Sequence, residues 1–179
     1  MPDRAGRGAA FDAGVDADAR ALASVVRMRI LRLCLDEALT NKEIADRLGK
    51  DPATTFHHVR TLTQRGFLAA QPERRGSRGA REIPYRATGK SWRAPRAPGQ
   101  DRVLIDTFLE EVAEADPQSV RTVRLGLRLG PAAHAELERR IVEVLQDFAD
   151  RAPDPAGTPY SVFYAVHEDA ARRQRPTDT

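Results

Sequence analysis

Ala53, Phe56, His57 and Arg60 fall at i, i+3, i+4 and i+7, so any helix that contains them carries all four on one face. Their types suit a duplex major groove. Phe56 or Ala53 can pack on a thymine methyl, and His57 and Arg60 can donate to base acceptors or phosphates. Pro52 and Thr54 join them at the start, where small side chains let a helix approach base edges. Thr55, Val59 and Leu62, at i, i+4 and i+7, form the opposite, core-facing stripe. A register rotated by one position would instead put Phe56 in the core. The pair His57-His58 does not make a metal site. Neighbours on a helix point about 100° apart, and no cysteine or carboxylate lies at matching spacing. His58 is expected to pack against the turn between helices. No metal and no cofactor is expected.

A second group is the run of Arg74, Arg75, Arg78 and Arg81 around Gly76 and Gly79. Residues 72–96 hold 8 basic and 2 acidic residues. A glycine-containing basic loop can contact phosphates or insert arginine into a narrow minor groove. The plainer reading is a solvated loop in an arginine-biased chain, since 26 of the 29 basic residues are Arg, a bias that codon usage in a GC-rich genome explains. Asn41 and Lys42, at a helix start with free N–H groups, are candidate phosphate contacts. Arg124 and Arg128 share the polar face of an alternating segment and could hold an anionic effector, or simply be solvated. No Ser/His/Asp set, phosphate-binding glycine loop or close carboxylate pair stands out, and Glu110, Glu111 and Glu114 read as a solvated face. The chain does not read as an enzyme.

The elements that must position these residues follow from caps and periodicity. Residues 1–17 are small, polar and aperiodic and read as disordered. A helix is predicted over 18–37, with Leu22, Val25, Val26, Ile30, Leu33 and Cys34 on one stripe. Thr40-Asn41-Lys42-Glu43 is a capping box, opening a short helix with Ile44, Ala45 and Leu48 inward and Gly49 as its stop. Asp51 caps the next helix, Pro52 occupies its first turn, and Gly66 ends it after Arg65. Two helices joined by a short glycine-containing turn make a helix-turn-helix. A strand at 67–70, the 72–80 loop and a return strand at 82–86, which Pro84 demotes to an edge, complete a wing. A linker is predicted over Gly89 to Gln100. A helix over 101–115 presents Ile105, Phe108, Leu109 and Val112. A half-buried strand (119–129), a helix (131–151) and a second strand (160–166) follow, then a polar tail.

Composition sets the frame. The sequence has 179 residues, 29 Lys+Arg against 26 Asp+Glu, a net charge of +3 and a single cysteine, Cys34. Residues 1–100 carry a net +8 and residues 101–179 a net −5. A basic half beside an acidic half suggests a nucleic-acid-facing module joined to something else. One cysteine excludes an intramolecular disulfide and a multi-cysteine metal site. No apolar run reaches the roughly 18 residues of a membrane span, and Met1 to Asp18 has no signal-like apolar stretch. A cytoplasmic location without membrane contact is expected.

Four stretches, Arg27-Met28-Arg29-Ile30-Leu31, Thr40 to Gly49, Pro52 to Leu62 and Gly66-Phe67-Leu68, together resemble the ArsR-type winged-helix transcriptional regulators over about residues 20–92. The resemblance implies a homodimer on a partly palindromic operator, usually a repressor released by an effector. It places base contacts on Pro52, Ala53, Phe56, His57 and Arg60. Metal-sensing members carry a cysteine pair or terminal His and carboxylate ligands. Cys34 alone, in an apolar stripe, departs from that pattern. The expected fold is mainly α (α+β): a disordered start (1–17), a winged helix-turn-helix (18–93), a linker (94–100), a dimerisation and effector region of helix and strand–helix–strand (101–167) and a tail (168–179). The dimer surface is expected from Leu22, Val26, Ile105, Phe108, Leu109 and Val112. The expected partners are double-stranded DNA, a second copy and a small-molecule effector. The alternative is a winged-helix protein-interaction module without DNA sequence specificity.

Overall fold

The computed structural model describes residues 14–76, 79–94 and 99–172. They fall into two compact units that divide between Arg124 and Leu125. The first unit begins with helix α1 (14–22) and α2 (Val25–Leu33), followed by β1 (Leu39–Thr40), α3 (Asn41–Leu48) and α4 (Pro52–Gln64). β2 (Leu68–Ala70), β3 (Arg74–Arg75), β4 (Arg81–Glu82) and β5 (Pro84–Ala87) form the wing region, and α5 (Lys90–Arg93) and α6 (Gln100–Glu114) follow.

The helices begin and end where side chains cap them. The Thr40 hydroxyl accepts from the Glu43 N–H at 3.2 Å, and the Glu43 carboxylate accepts from the Thr40 N–H at 2.8 Å. Gly49, at φ +60°, closes α3 in the left-handed conformation that a side chain would resist. Asp51 accepts from the N–H groups of Ala53 (2.9 Å) and Thr54 (3.1 Å), which starts α4 one residue later. These ends agree with the caps read from the sequence.

Buried side chains from every layer meet in one core: Leu22, Ile30, Leu31 and Cys34, then Leu39, Ile44 and Leu48, then Val59, Leu62, Phe67 and Leu68. The sheet is antiparallel in the order β1-β5-β2, with Leu39 opposite Tyr85 and Ala69 opposite Arg86. β3 and β4 form a separate hairpin, with Arg75 opposite Arg81. The Ala87 N–H donates to the Cys34 carbonyl at 2.8 Å and ties the sheet to the end of α2.

Several expectations change here. The helix predicted over 18–37 is two helices, because Ser24 adopts extended backbone and caps α2 through the Arg27 N–H. Helix α1 begins by residue 14, so residues 14–17 are ordered helix; residues 1–13 of the expected disordered start lie outside the described residues. Pro84 does not mark an edge: β5 is the central strand. Proline is tolerated because it opens the strand, and its carbonyl still accepts from the Gln71 N–H at 2.8 Å. The predicted 89–100 linker contains the single turn α5, and residues 95–98 lie outside the described residues. Helix α6 packs against α2 and belongs to the first unit, not to a separate 101–167 region.

The second unit holds α7 (Pro131–Ala149), shorter at its end than the predicted 131–151, and a short 3-10 turn at Ala170–Arg172. Neither 119–129 nor 160–166 forms a strand among the described residues. Alternation sorts side chains between two faces, but a strand also needs a hydrogen-bonding neighbour, and residues 125–129 have no backbone partner here.

The first unit also holds a charged cluster. Asp18 receives Arg65 (2.7 Å, Nε) and Lys90 (2.6 Å, Nζ), and Lys90 Nζ lies 4.6 Å from the centre of the Phe67 ring. Burial pushes the Asp18 carboxyl upward, but the hydrogen bonds and charges of Lys90 and Arg65 outweigh it and hold the group below its ordinary value of 3.8. A depressed carboxyl stabilises the fold above its unfolded pKa, and that contribution is lost as pH falls through the folded value. In thermal unfolding, Asp18→Asn is expected to lie below the wild type at about pH 6, with the gap closing towards about pH 3. A gap that is constant with pH would show that the carboxylate does not hold α1 through its charge.

Candidate nucleic-acid interface

Helix α4 presents its outer face because its inner one is fixed. Thr55, Val59 and Leu62 are fully buried. The Thr55 hydroxyl donates to the Asp51 carbonyl at 3.0 Å, so its burial leaves no unmet donor. On the other side Pro52, Ala53, Thr54, Phe56, His57 and Arg60 are all exposed. Phe56 is 46% exposed, and the His57 ring meets it edge-on at 6.5 Å. The rotated register that would bury Phe56 is not adopted. Gln64, also exposed, extends this face by one more turn. The same spacing carries it, four residues beyond Arg60, and sequence reasoning stopped short of it.

The face has no acidic residue between Pro52 and Gln64. His58 is half-buried; burial, with Arg27, Lys50 and His57 nearby, pulls its pKa below 6.5 and favours the neutral ring. It therefore adds no charge to the outer face.

Helix α3 braces the start of α4. The Asn41 side-chain amide donates to the Pro52 carbonyl at 2.9 Å, which pins the two helix starts together. One of its two amide N–H donors is thereby committed, and the side-chain oxygen is buried without a partner among the described residues. Asn41 is thus a positioning residue in this structure, while Lys42 beside it is exposed. Thr40, Asn41, Lys42, Arg81, Glu82, Ile83 and Tyr85 line a hollow of about 310 Å³ between the start of α3 and the base of the wing.

The wing arginines divide by their partners. Arg74 is clasped by Glu43 at 2.5 Å and lies 3.9 Å from Glu82. Glu43 therefore serves twice, as capping residue and as anchor of the wing. The Thr40 N–H, the Thr40 hydroxyl and Arg74 hold its carboxyl below the ordinary value, against a smaller opposing push from burial. Arg75 is exposed and has no ion pair among the described residues. Arg81 is exposed and 3.6 Å from Glu73, a separation and setting in which a pair is weak and readily exchanged for phosphate. Arg78 lies outside the described residues. Gly79 turns the hairpin at φ +74°, and its N–H donates to the Gly76 carbonyl at 2.9 Å. The hairpin inside the 72–80 loop was not legible, because two-residue strands carry no usable period.

The expected dimer residues also divide. Leu22 is buried in the chain's own core and is unavailable to a partner. Val26, Phe108 and Val112 are half-buried, while Ile105 and Leu109 are exposed, Leu109 at 56%. Helix α6 is held on α2 by charge. Arg29, whose side chain is only 12% exposed, pairs with Glu110 (3.4 Å) and Glu114, and Arg32 pairs with Glu111 at 2.5 Å. These glutamates clasp the two helices together; Glu110 and Glu114 stay exposed, as the solvated-face reading expects, and Glu111 is half-buried. Arg124 and Arg128 are both exposed, on a segment that forms no strand. Burial pushes the Cys34 thiol up to about 12, consistent with a structural side chain. Among the described residues no three His, Cys, Asp or Glu side chains gather in a metal-binding arrangement.

The order α2-β1-α3-α4 with the β2–β5 pair and the β3–β4 hairpin defines a winged helix-turn-helix domain. Residues 34–72 match the family model of the IclR helix-turn-helix domain. The model matched is not that of the ArsR-type regulators; what the match carries is the helix-turn-helix itself. No curated protein matches the sequence. Among solved structures, the chain is similar to the homodimeric winged helix-turn-helix DNA-binding domain of a Mycobacterium bovis protein, at 22% identity and a TM-score of 0.41 over 69% of this chain and 100% of that one. It is also similar to an ArsR-like transcriptional regulator from Rhodococcus sp. RHA1, at 18% identity and a TM-score of 0.41 over 80% of this chain and 98% of that one. A third is NolR from Sinorhizobium fredii, at 16% identity and a TM-score of 0.39 over 65% and 100%. Separately, no described helix is long and apolar enough to cross a membrane.

The double use of Glu43 separates two energies. Thr40→Ala breaks the capping box and is expected to lower the unfolding free energy by about 1 kcal/mol. Arg74→Ala removes a pair whose members are both nearly half exposed, and is expected to cost less than about 1 kcal/mol. Urea denaturation of both variants decides the order. An Arg74 cost above that of Thr40 would make the wing clasp, not the cap, the main role of Glu43.

Proposed function

We propose that this chain is a sequence-specific DNA-binding transcription regulator that acts as a homodimer on an inverted-repeat operator. The observation that carries the reading is the outer face of α4. It is open, free of acidic residues, small at its capped start, and displays Phe56, His57 and Arg60 at one-turn spacing. An exposed phenyl ring is costly in water and useful against a thymine methyl. Lys42 at the start of α3, and Arg75 and Arg81 on the wing, flank that face with the charge that backbone binding needs. Arg74 and Asn41 act behind them by fixing the wing and the helix start.

A two-fold arrangement would set the two α4 helices about one DNA turn, roughly 34 Å, apart. Ile105 and Leu109 on α6 offer the apolar contact for it. Repression is the role that the ArsR-type resemblance favours. An anionic effector at Arg124 and Arg128 would be the release signal. The competing reading, a protein-interaction module, is favoured by an occluded α4 face, and Phe56 is not occluded.

The test is capture and sequencing of sheared genomic fragments by the purified full chain, beside Phe56→Ala/His57→Ala/Arg60→Ala. The expected result is a shared inverted repeat that the variant no longer enriches. On that repeat, Arg60→Ala is expected to cost about 1–3 kcal/mol, and Arg75→Ala to lower the log–log salt slope by about 1. Uniform, salt-sensitive recovery without a motif would overturn sequence specificity. Ile105→Asp/Leu109→Asp is expected to shrink the nuclease footprint to a single half-site; an unchanged footprint would place the dimer contact elsewhere.

A further inference from the structure

The second unit lacks a core. No side chain between 125 and 172 is buried, and α7 has no buried residue. Leu125 (72% exposed), Val144, Phe148, Tyr160 and Val162 (73% exposed) face solvent instead. A helix flanked by short extended segments cannot offset its ordering entropy without apolar burial. Something covers these side chains, and the structure narrows what it is.

Extended backbone with one apolar side would match what this segment leaves open. Residues 125–129 run into α7 with their backbone groups unpaired among the described residues. Leu127 and Leu129 already line one groove of about 520 Å³ with Leu137, Ile141, Val144 and Leu145. Leu125, Leu127 and Leu129 share one face, so a strand here has an apolar side on α7 and an open edge. The rest of the sequence offers it no paired strand: residues 1–13 hold only Met1 and Phe11 as large apolar residues, residues 173–179 hold none, and the other apolar run, 160–166, forms no strand and no backbone pair with 125–129 among the described residues.

A second copy of this segment meets every condition. Two-fold symmetry across a sheet pairs a strand with its own copy antiparallel, and such neighbours keep all six leucines on one face. The charges of α7 also point away from a charged partner. They pair within the helix, Arg139 with Glu143 at 2.9 Å, Arg140 with Glu136 at 3.4 Å and Arg151 with Asp147. An electrically self-satisfied helix with an apolar underside fits another copy better than a polyanion or an anionic lipid surface. We propose that residues 125–129 pair with the same residues of a second copy as antiparallel strands, making a shared sheet that the two α7 helices cover. This rests on the homodimer of the DNA-binding reading and is independent of DNA.

The test is hydrogen exchange by mass spectrometry on the full chain without DNA, over a dilution series in which sedimentation velocity reads its oligomeric state. Under conditions where the chain is dimeric, the 125–130 amides are expected to exchange at least about tenfold more slowly than a free peptide, and to lose that protection on dilution to the monomer. Leu125→Asp/Leu127→Asp is expected to abolish the protection while the α4 amides stay protected, which shows that the first unit still folds. Exchange at the free-peptide rate in the dimer, or in a chain that never dimerises, overturns the proposal. So does protection that persists unchanged in the monomer, since the cover would then be intramolecular. A chain that never dimerises sinks this proposal together with the homodimer on which it rests, whereas free-peptide exchange in a chain that does dimerise sinks this proposal alone and leaves the fragment-capture result standing.

Discussion

The burial of Thr55, Val59 and Leu62 on one side of α4 is the constraint on which the candidate interface depends. With 3.6 residues per turn, sinking that stripe leaves Ala53, Phe56, His57 and Arg60 no direction but outward. The middle of the helix is therefore oriented by packing, and only its start needs polar help. That help comes in two forms. Asp51 satisfies the first free N–H groups, and the Asn41 amide holds the Pro52 carbonyl at 2.9 Å. A buried threonine in the stripe is a small departure from an apolar core. It is tolerated because its hydroxyl turns back to the Asp51 carbonyl. The same bond adds a local link at the turn where the helix begins.

Around that axis, charge adds to what apolar contact joins. Helix α6 meets α2 through Arg29 and Arg32 against three glutamates, and α1 meets the end of α4 and α5 through Asp18, Arg65 and Lys90. Arg29 is the most enclosed of these bases. Burial disfavours its charge, but its two carboxylates outweigh that and raise its pKa. An enclosed guanidinium with carboxylates on one side fixes a direction of approach, which bulk hydrophobic contact does not. The consequence for α6 is orientation. With Glu110, Glu111 and Glu114 turned to α2, Leu109 is left facing away.

How much of this was legible depends on range. Caps and stops are signals within four residues, so the Thr40–Glu43 box, Gly49, Asp51-Pro52 and Gly66 could all be read directly. The α4 stripe was legible for the same reason, because i, i+4, i+7 lies within a single element. What could not be read were relations across the chain. Pro84 looked like an edge because proline lacks a donor, yet its carbonyl is what the neighbouring Gln71 needs, and β1 pairs on its other side. Glu43 looked complete as a cap, and nothing local showed that Arg74, thirty-one residues later, would return to it. Ser24 interrupts a continuous apolar stripe, and the stripe hid the break.

The two units show the limit of periodicity from opposite sides. Around Leu48 and Leu68 the elements are short, and strand β1 has only two residues, but Ile44, Val59, Leu62 and Phe67 converge from three segments and are all buried. From Leu125 onward the pattern is the clearer one, a clean alternation and a long helix with one apolar stripe, yet nothing there is buried. Periodicity describes how an element sorts its side chains; burial requires a second surface of matching kind. The first unit carries its second surfaces within the chain. In the second unit the alternating leucines specify the chemistry of the missing surface, extended and apolar on one side, more sharply than any buried element of the first unit specifies its neighbour.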